Sequence, residues 1–134
     1  MCIEVTAAVV LRNDCVLIAR RSGGKREAGK WEFPGGKRED GESLGEALYR
    51  ELLEEFGVES VIHEELVRSR HEYPHGCIEL IALRTDLVEN PKVMADHDRI
   101  EWVPLVRLWE YDLAPADVPV ARFLCNGLMA KEKP

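Results

Sequence analysis

The chain has 134 residues, of which 46% are hydrophobic, and it carries a net charge of −7. This length predicts one domain, 1–134, with a single core, and no apolar run approaches the roughly 20 residues that a membrane span needs. The acidic balance argues against binding of a nucleic-acid polymer, because proteins that bind one normally carry a basic stripe.

The N-terminus and the cysteines both favour a cytoplasmic protein. No basic segment precedes an apolar one at the start of the sequence, so we expect no signal peptide. Cys2, Cys15, Cys77 and Cys125 are far apart and form no Cys-x-x-Cys pair. Neither a zinc site nor a disulfide framework is therefore predicted, and we expect reduced, partly buried thiols.

The first elements in the chain are a predicted β-hairpin and a basic loop. Residues 2–11 are apolar and β-branched, 12–14 give a turn signal, and 15–19 return as the second strand. Residues 20–26, with the sequence RRSGGKR, form a glycine-rich basic loop in an otherwise acidic chain. This loop is either solvated or a contact for a phosphate or a base, and the sequence leaves both open.

A short strand and a glycine pair come next. The segment from Trp31 to Phe33 predicts a strand, which Pro34 ends. Gly35 and Gly36 allow the backbone to approach a ligand closely. Because the pair lies between an aromatic strand and an acidic helix, we expect a fixed loop whose carbonyls can reach a metal ion.

A helix is predicted to begin at about Leu44. Ser43 and Glu46 have the form of a capping box, and Gly57 supplies a left-handed residue just past the end of the helix. The expected buried stripe repeats every four residues and consists of Leu48, Leu52 and Phe56.

The same helix carries a row of carboxylates. Glu51, Glu54 and Glu55 stand at i, i+3 and i+4 and share one face, where like charges repel by about 0.2–0.5 kcal/mol per pair. Between residues 31 and 65 there are eleven acidic residues and three basic ones. A hard divalent cation with oxygen ligands would neutralise this face, so we expect Mg²⁺ as the cofactor, with Mn²⁺ as a substitute.

The remaining sequence predicts strands followed by a second main helix. In chain order we expect strands over 58–69 and 77–86 with a hairpin loop at 73–76, a loop over 86–98, a strand over 99–103 and a short helix over 105–111. The second main helix is predicted over 116–131, with core positions Val120, Phe123, Leu124 and Leu128. Two main helices with a mixed sheet between them predict an α/β/α sandwich, an α+β fold.

The spacing of the glycine loop and the acidic helix resembles a known motif. From Gly36, five residues lead to Glu42 and seven more to Arg50, and the pattern ELLEEFGV then ends at Val58. This spacing resembles the Nudix box, and the chain is therefore similar to the Nudix hydrolases.

The resemblance covers nearly the whole chain. The segment WEFPGGK at 31–37 resembles the MutT-type branch, which hydrolyses nucleoside triphosphates. Segments 3–10 and 111–119 resemble the ends of the small nucleotide pyrophosphohydrolases of that branch. The resemblance implies the same sandwich fold that the helix and strand pattern predicts.

The resemblance also implies a metal site on the acidic helix. The backbone carbonyl of Gly35 and the side chains of Glu54 and Glu55 are the expected ligands, and Glu51 is a further ligand or orients water. We expect Arg50 to hold these glutamates with its guanidinium fork, the alternative being a surface ion pair worth ~0.5 kcal/mol. Glu51, Glu54 and Arg50 are thus the expected catalytic residues.

One more acid is expected from the loop before the last strand. Asp96 lies where some MutT-type members carry Glu, six residues before the tryptophan that matches Trp102. Aspartate is one methylene shorter, so direct ligation and a water-bridged contact both stay open. His97 or Asp98 could take its place, and a solvated acidic loop is the alternative.

Five residues are expected to bind the nucleotide. By resemblance Arg21 lies beside the base, and Lys37 is placed to touch phosphate oxygens. Phe33 and Tyr73 are expected to stack on the base or line its pocket, although each could instead serve core or hairpin packing. Asp117 could accept hydrogen bonds from cytosine N4 or from guanine N1 and N2, or it could cap the last helix.

The activity that the resemblance implies is magnesium-dependent hydrolysis of a nucleoside triphosphate to a nucleoside monophosphate and pyrophosphate. Nucleotide-pool cleansing is the expected role, with 8-oxo-dGTP, or CTP and modified dCTP, as substrates. Hydrolysis of ADP-ribose or a dinucleoside polyphosphate, and nucleotide sensing without catalysis, are the alternatives. A small nucleotide is the expected partner of a monomer or homodimer, and His63, His71 and His75 are expected to be non-catalytic.

Overall fold

A computed structural model describes residues 2–24, 27–93 and 96–132, without the side chains of 128–132. The strands are β1 (Cys2–Val9), β2 (Leu11–Arg12), β3 (Cys15–Arg21), β4 (Trp31–Glu32), β5 (Gly35–Lys37), β6 (Ser60–Tyr73), β7 (Gly76–Leu87) and β8 (His97–Pro104). The α-helices are α1 (Leu44–Phe56) and α2 (Val118–Glu132), and 3₁₀ turns cover Leu105–Glu110 and Pro115–Asp117. Within the described ranges, each helix is too short or too polar to span a membrane.

The strands form two sheets. One has the order β5-β1-β7-β6 and is mixed, because β1 runs parallel to β7 while the other pairs are antiparallel. In the other, β3 pairs antiparallel with β2, β4 and β8. The predicted single mixed sheet is thus replaced by two sheets.

Both main helices pack on these sheets from opposite sides. Along β1 and β3, alternate residues point to opposite faces. Ala8 and Leu17 belong to the apolar cluster that buries α1, whereas Val9 and Ile18 belong to the cluster that buries α2. The predicted α/β/α sandwich is confirmed, and the double burial explains why the first strands read as continuous apolar runs.

The acidic helix α1 is confirmed with its caps. The Glu46 backbone N–H donates to Ser43 Oγ over 3.1 Å, and the Ser43 N–H donates to Glu46 Oε1 over 2.8 Å. Gly57 has φ 59° and its N–H donates to the carbonyls of Leu52 and Leu53. A side-chain cap at the N-terminus, such as that of Ser43, stabilises a helix by about 1 kcal/mol. The sequence around α1 therefore determines both ends of the helix.

Elements in the second half differ from the prediction. β8 begins at His97 rather than at residue 99, because the pairing of β3 with β8 continues past a register shift as far as His97. The predicted short helix is a 3₁₀ turn, and α2 begins at Val118 rather than at 116.

One predicted core position in α2 is wrong. Phe123 is 41% exposed. The buried positions are Val120, Ala121, Leu124 and Cys125. This i, i+1, i+4, i+5 stripe turns Phe123 toward solvent. Val120 and Leu124 are confirmed as core, and the side chain of Leu128 lies outside the described residues.

The expectation of four reduced cysteines is wrong for two of them. Cys2 and Cys77 are directly paired on the parallel strands β1 and β7, with their Cα atoms 4.7 Å apart, and form a disulfide. Their separation of 75 residues hides this pairing in the sequence. Cys15 and Cys125 are free thiols, half-buried and buried, as expected.

Candidate active site

A cleft of about 470 Å³ gathers most of the predicted site residues. Those predicted for the metal that line it are Gly35, Glu51, Glu55 and Asp96. Those predicted for the nucleotide that line it are Arg21, Phe33, Lys37, Tyr73 and Asp117. Arg50 and Glu54 are not part of this lining, but Arg50 donates both to Glu51, which lines the cleft, and to Glu54. Lys25 and Arg26 of the predicted basic loop lie outside the described residues.

The glycine pair is fixed between β1 and α1. Thr6 Oγ1 donates to the Gly36 carbonyl over 3.0 Å. A Cβ at Gly35 would overlap the Thr6 carbonyl oxygen, and a Cβ at Gly36 would overlap the Glu51 carboxylate. The loop therefore needs glycine for close approach, which agrees with the predicted fixed loop.

Arg50 holds the acidic helix and the glycine loop together. Its Nε and Nη2 donate to the two oxygens of Glu42 over 2.6 and 3.0 Å, a bidentate pair. Its Nη1 donates to Glu51 over 3.0 Å and to Glu54 over 3.2 Å, and Nη2 also donates to the Lys37 carbonyl over 3.0 Å. Hydrogen bonds from Arg50 and from the Glu39 backbone, with the charges of Arg50 and Arg38, lower the pKa of Glu42 to about 2. The guanidinium thus acts as a fork, with Glu42 as a partner that the sequence did not predict.

Glu51 and Glu55 form a crowded carboxyl pair in the cleft. Burial, a hydrogen bond to Glu51 and the charges of Glu51, Asp96 and Glu32 together raise the pKa of Glu55 to about 9. A buried carboxyl pair whose negative charges are disfavoured by burial and by mutual repulsion is a place where a cation is favourable. Oxygen donors of this kind suit Mg²⁺ or Mn²⁺.

One predicted ligand, Glu54, lies apart from this pair. Glu54 is 55% exposed and turned toward Arg50. Among the described residues, no three His, Cys, Asp or Glu side chains form a preassembled metal cluster. The donor chemistry fits a magnesium ion, and the ligand set stays a prediction.

The part of the cleft next to Asp117, called the base end below, contains buried polar groups. The Phe33 backbone N–H donates to Asp117 Oδ1 over 3.0 Å, and Asp117 is only 6% exposed. Burial and the charge of Glu32 raise the pKa of Asp117 well above its usual range, although the Phe33 hydrogen bond and Arg21 oppose this. This hydrogen bond leads to residue 33 rather than to the first turn of α2, which disfavours the capping alternative.

Aromatic rings stand at one wall of the cleft. Tyr73 stacks on His75 with ring centroids 5.4 Å apart, and both side chains line the cleft. Phe33 is buried and also contributes to the wall. His63 instead pairs with Asp86 over 2.8 Å on the outside of the sheet. Of the three histidines expected to be non-catalytic, His75 is the one that reaches the cleft.

Sequence reasoning also missed Glu32. Its carboxylate accepts from Arg21 Nη1 over 3.1 Å and lies 2.8 Å from His97 Nε2. The available signal was a charged residue between two aromatic residues in a short strand. His97, an alternative to Asp96 in the sequence, is buried beside Glu32, whereas Asp98 forms a partly exposed ion pair with Arg20.

Comparison with known proteins agrees with this geometry. The family model described as NUDIX domain matches residues 3–124. A CTP pyrophosphohydrolase from Escherichia coli (strain K12) is 36% identical over 118 residues, which cover 88% of this chain and 87% of that protein. An 8-oxo-dGTP diphosphatase from the same organism is 34% identical over 116 residues, covering 85% and 90%.

A solved structure with the same fold is also similar. The solution structure of the E. coli ORF135 protein has a TM-score of 0.86 and 34% identity, and the match covers 98% of this chain and 94% of that chain. Sequence and fold therefore agree over nearly the full length. The chain belongs to the Nudix hydrolase family.

Proposed function

We propose that this enzyme hydrolyses a nucleoside triphosphate to a nucleoside monophosphate and pyrophosphate, with Mg²⁺ or Mn²⁺, in nucleotide-pool sanitation. The observation that supports it most is the cleft itself, which has the crowded pair Glu51 and Glu55 at one end and the buried Asp117 at the other. The two E. coli relatives, named for CTP and 8-oxo-dGTP, give the candidate substrates.

The helix end of the cleft would perform the hydrolysis. Gly35, Glu51, Glu54, Glu55 and Asp96 would hold the divalent ion, which when bound would neutralise phosphate charge and acidify a water molecule. Arg50 keeps Glu51 and Glu54 in place through its fork. Glu51, packed against the Gly36 backbone, would orient the attacking water.

The base end would select the nucleotide. The ammonium group of Lys37 would contact phosphate oxygens, and Phe33 and Tyr73 would line the base. Asp117 in its protonated form both donates and accepts hydrogen bonds, whereas an ionised carboxylate only accepts. Burial raises the pKa of Asp117 and so favours the protonated form, and either form would accept a hydrogen bond from oxidised guanine or from cytosine.

A substrate panel tests the proposal. Pyrophosphate release would be measured with Mg²⁺ for 8-oxo-dGTP, dGTP, CTP, 5-methyl-dCTP, ADP-ribose and a dinucleoside polyphosphate. We expect the highest kcat/KM for 8-oxo-dGTP or for a cytidine nucleotide. Turnover of ADP-ribose or the dinucleoside polyphosphate alone, or of none of the panel by folded protein, would contradict it.

A further inference from the structure

We propose that His97 is a positioning residue that couples the Glu55 carboxylate on α1 to the Glu32 carboxylate on β4. It would thereby fix the position of the helix end of the cleft relative to the base end. The proposal deepens the proposed function, because it takes Glu55 as a metal ligand.

His97 is held from the base end by Glu32. The His97 side chain is 1% exposed, and its Nε2 lies 2.8 Å from Glu32 Oε2. A carboxylate oxygen accepts, so Nε2 carries the hydrogen and donates. The other Glu32 oxygen accepts from Arg21 Nη1 over 3.1 Å. Glu32 is thus fixed from both sides, and His97 continues the line of polar contacts that begins at Arg21.

The second ring nitrogen of His97 faces the helix end. Nδ1 is buried and has no hydrogen-bond partner among the residues that the structure describes. It lies 3.9 Å from Glu55 Oε1. Buried polar atoms are nearly always paired, and a displacement of about 1 Å would bring these two atoms within hydrogen-bond distance. One hydrogen between them would satisfy both atoms, whichever of the two carries it.

The imidazole is also locked to α1 by packing. It stacks on the ring of Phe56, with centroids 4.8 Å apart and planes at 28°. Phe56 follows Glu55 directly in the chain and is only 1% exposed. The His97 ring is therefore packed directly against the helix that carries Glu55. Partners of this kind, behind a metal ligand, commonly change metal affinity by about 10–100-fold when they are replaced.

Two substitutions separate the two ring nitrogens. The amide nitrogen of glutamine reaches approximately the place of Nε2, and that of asparagine approximately the place of Nδ1. His97→Gln should keep the contact with Glu32 and lower Mn²⁺ affinity by about 10-fold or more, as measured by electron paramagnetic resonance without nucleotide. His97→Asn should keep Mn²⁺ affinity within about threefold of wild type and raise KM for the nucleotide, since Glu32 loses its partner.

His63→Gln is the matched control. His63 Nε2 also lies 2.8 Å from a carboxylate, that of Asp86, but outside the cleft. This variant should bind Mn²⁺ and turn over substrate like wild type. If folded His97→Gln binds Mn²⁺ as tightly as wild type does, the positioning role is overturned.

A measurement on the unaltered enzyme covers the case in which the variants do not fold. Nitrogen NMR of the histidine rings should show a shift of His97 Nδ1 when Mg²⁺ is added, and none for His63. An unchanged Nδ1 resonance at saturating Mg²⁺ would overturn the proposal. If metal binding responds to His97 but wild type releases no pyrophosphate from any nucleotide, the proposed function fails while the role of His97 stands.

Discussion

The two ends of the cleft are held together by different kinds of contact. At the helix end, the partners of Arg50 lie at most 13 residues away in the chain. At the base end, the Glu32–His97 contact spans 65 residues and the Phe33–Asp117 contact spans 84. One helix and its own loop therefore supply the Arg50 network at the helix end, whereas the contacts at the base end form only when distant strands meet. Substitutions at the helix end should change the rate, and those at the base end should change stability and base choice.

The largest effect is expected at Glu54. Glu54→Gln removes one negative charge from the proposed ligand set, and kcat for pyrophosphate release should fall on the order of 10³-fold. Glu59→Gln is the control, because Glu59 accepts from the Tyr49 hydroxyl outside the cleft. Equal rates for Glu54→Gln and wild type, both folded by circular dichroism, would mean that the helix end is not catalytic.

The Gly36→Ala variant tests whether catalysis requires the close contact between the glycine loop and α1. Gly36→Ala places a Cβ on the Glu51 carboxylate, and a displacement of about 1 Å can cost ~100-fold in rate. Gly127→Ala is the control, since a Cβ there meets no atom within 4 Å. Steady-state kinetics of the two variants give the comparison, and a Gly36→Ala enzyme with wild-type kcat would show that Glu51 needs no fixed position.

The Arg50→Lys variant tests whether the simultaneous hydrogen bonds of the Arg50 guanidinium are required for catalysis. Lysine keeps the charge but cannot bind Glu42 through two nitrogens while it also reaches Glu51 and Glu54. We expect Arg50→Lys to lower kcat by about 10-fold, a smaller loss than at Glu54 because the ligands themselves remain. Arg68→Lys removes a similar fork to Glu65 on β6 and should leave kcat unchanged. If both variants behave alike, the Arg50 network is an ordinary surface ion-pair cluster.

The smallest effect on rate is expected at Asp117, where stability should respond to pH. A carboxyl whose pKa is raised by folding stabilises the folded state below its unfolded pKa, and this contribution is lost as pH rises toward the folded pKa. Asparagine carries no such proton and can still accept from the Phe33 N–H.

Asp117→Asn should therefore gain stability over wild type as pH rises, with a larger gain at pH 8 than at pH 5. Urea unfolding at both values measures it. A difference that does not grow with pH would show that the carboxyl is not strained by burial. The preference between 8-oxo-dGTP and CTP should change in the same variant.

The same contrast explains what could be predicted from the sequence. The caps of α1 and the Arg50–Glu54 contact follow from spacing along the chain, and both are present. The Arg50–Glu42 pair connects the helix to the glycine loop, so predicting it requires the backbone conformation of that loop. Residue spacing alone does not give this conformation.

Predicting the contacts at the base end requires the strand order, which the sequence pattern does not provide. Because β3 pairs with both β4 and β8, residues 32 and 97 become neighbours. The parallel pairing of β1 with β7 likewise creates the Cys2–Cys77 disulfide. Phe123 was misplaced for a related reason, since an apolar side chain in a helix does not by itself say which face packs on the sheet.

Calorimetric titration of the folded enzyme with Mg²⁺, repeated with Mn²⁺ and with a non-hydrolysable nucleotide present, tests the central claim most directly. The crowded carboxylates of α1 should give saturable uptake of metal that weakens in Glu54→Gln and not in Glu59→Gln. Absence of any metal uptake by wild type, with and without nucleotide, would contradict the account.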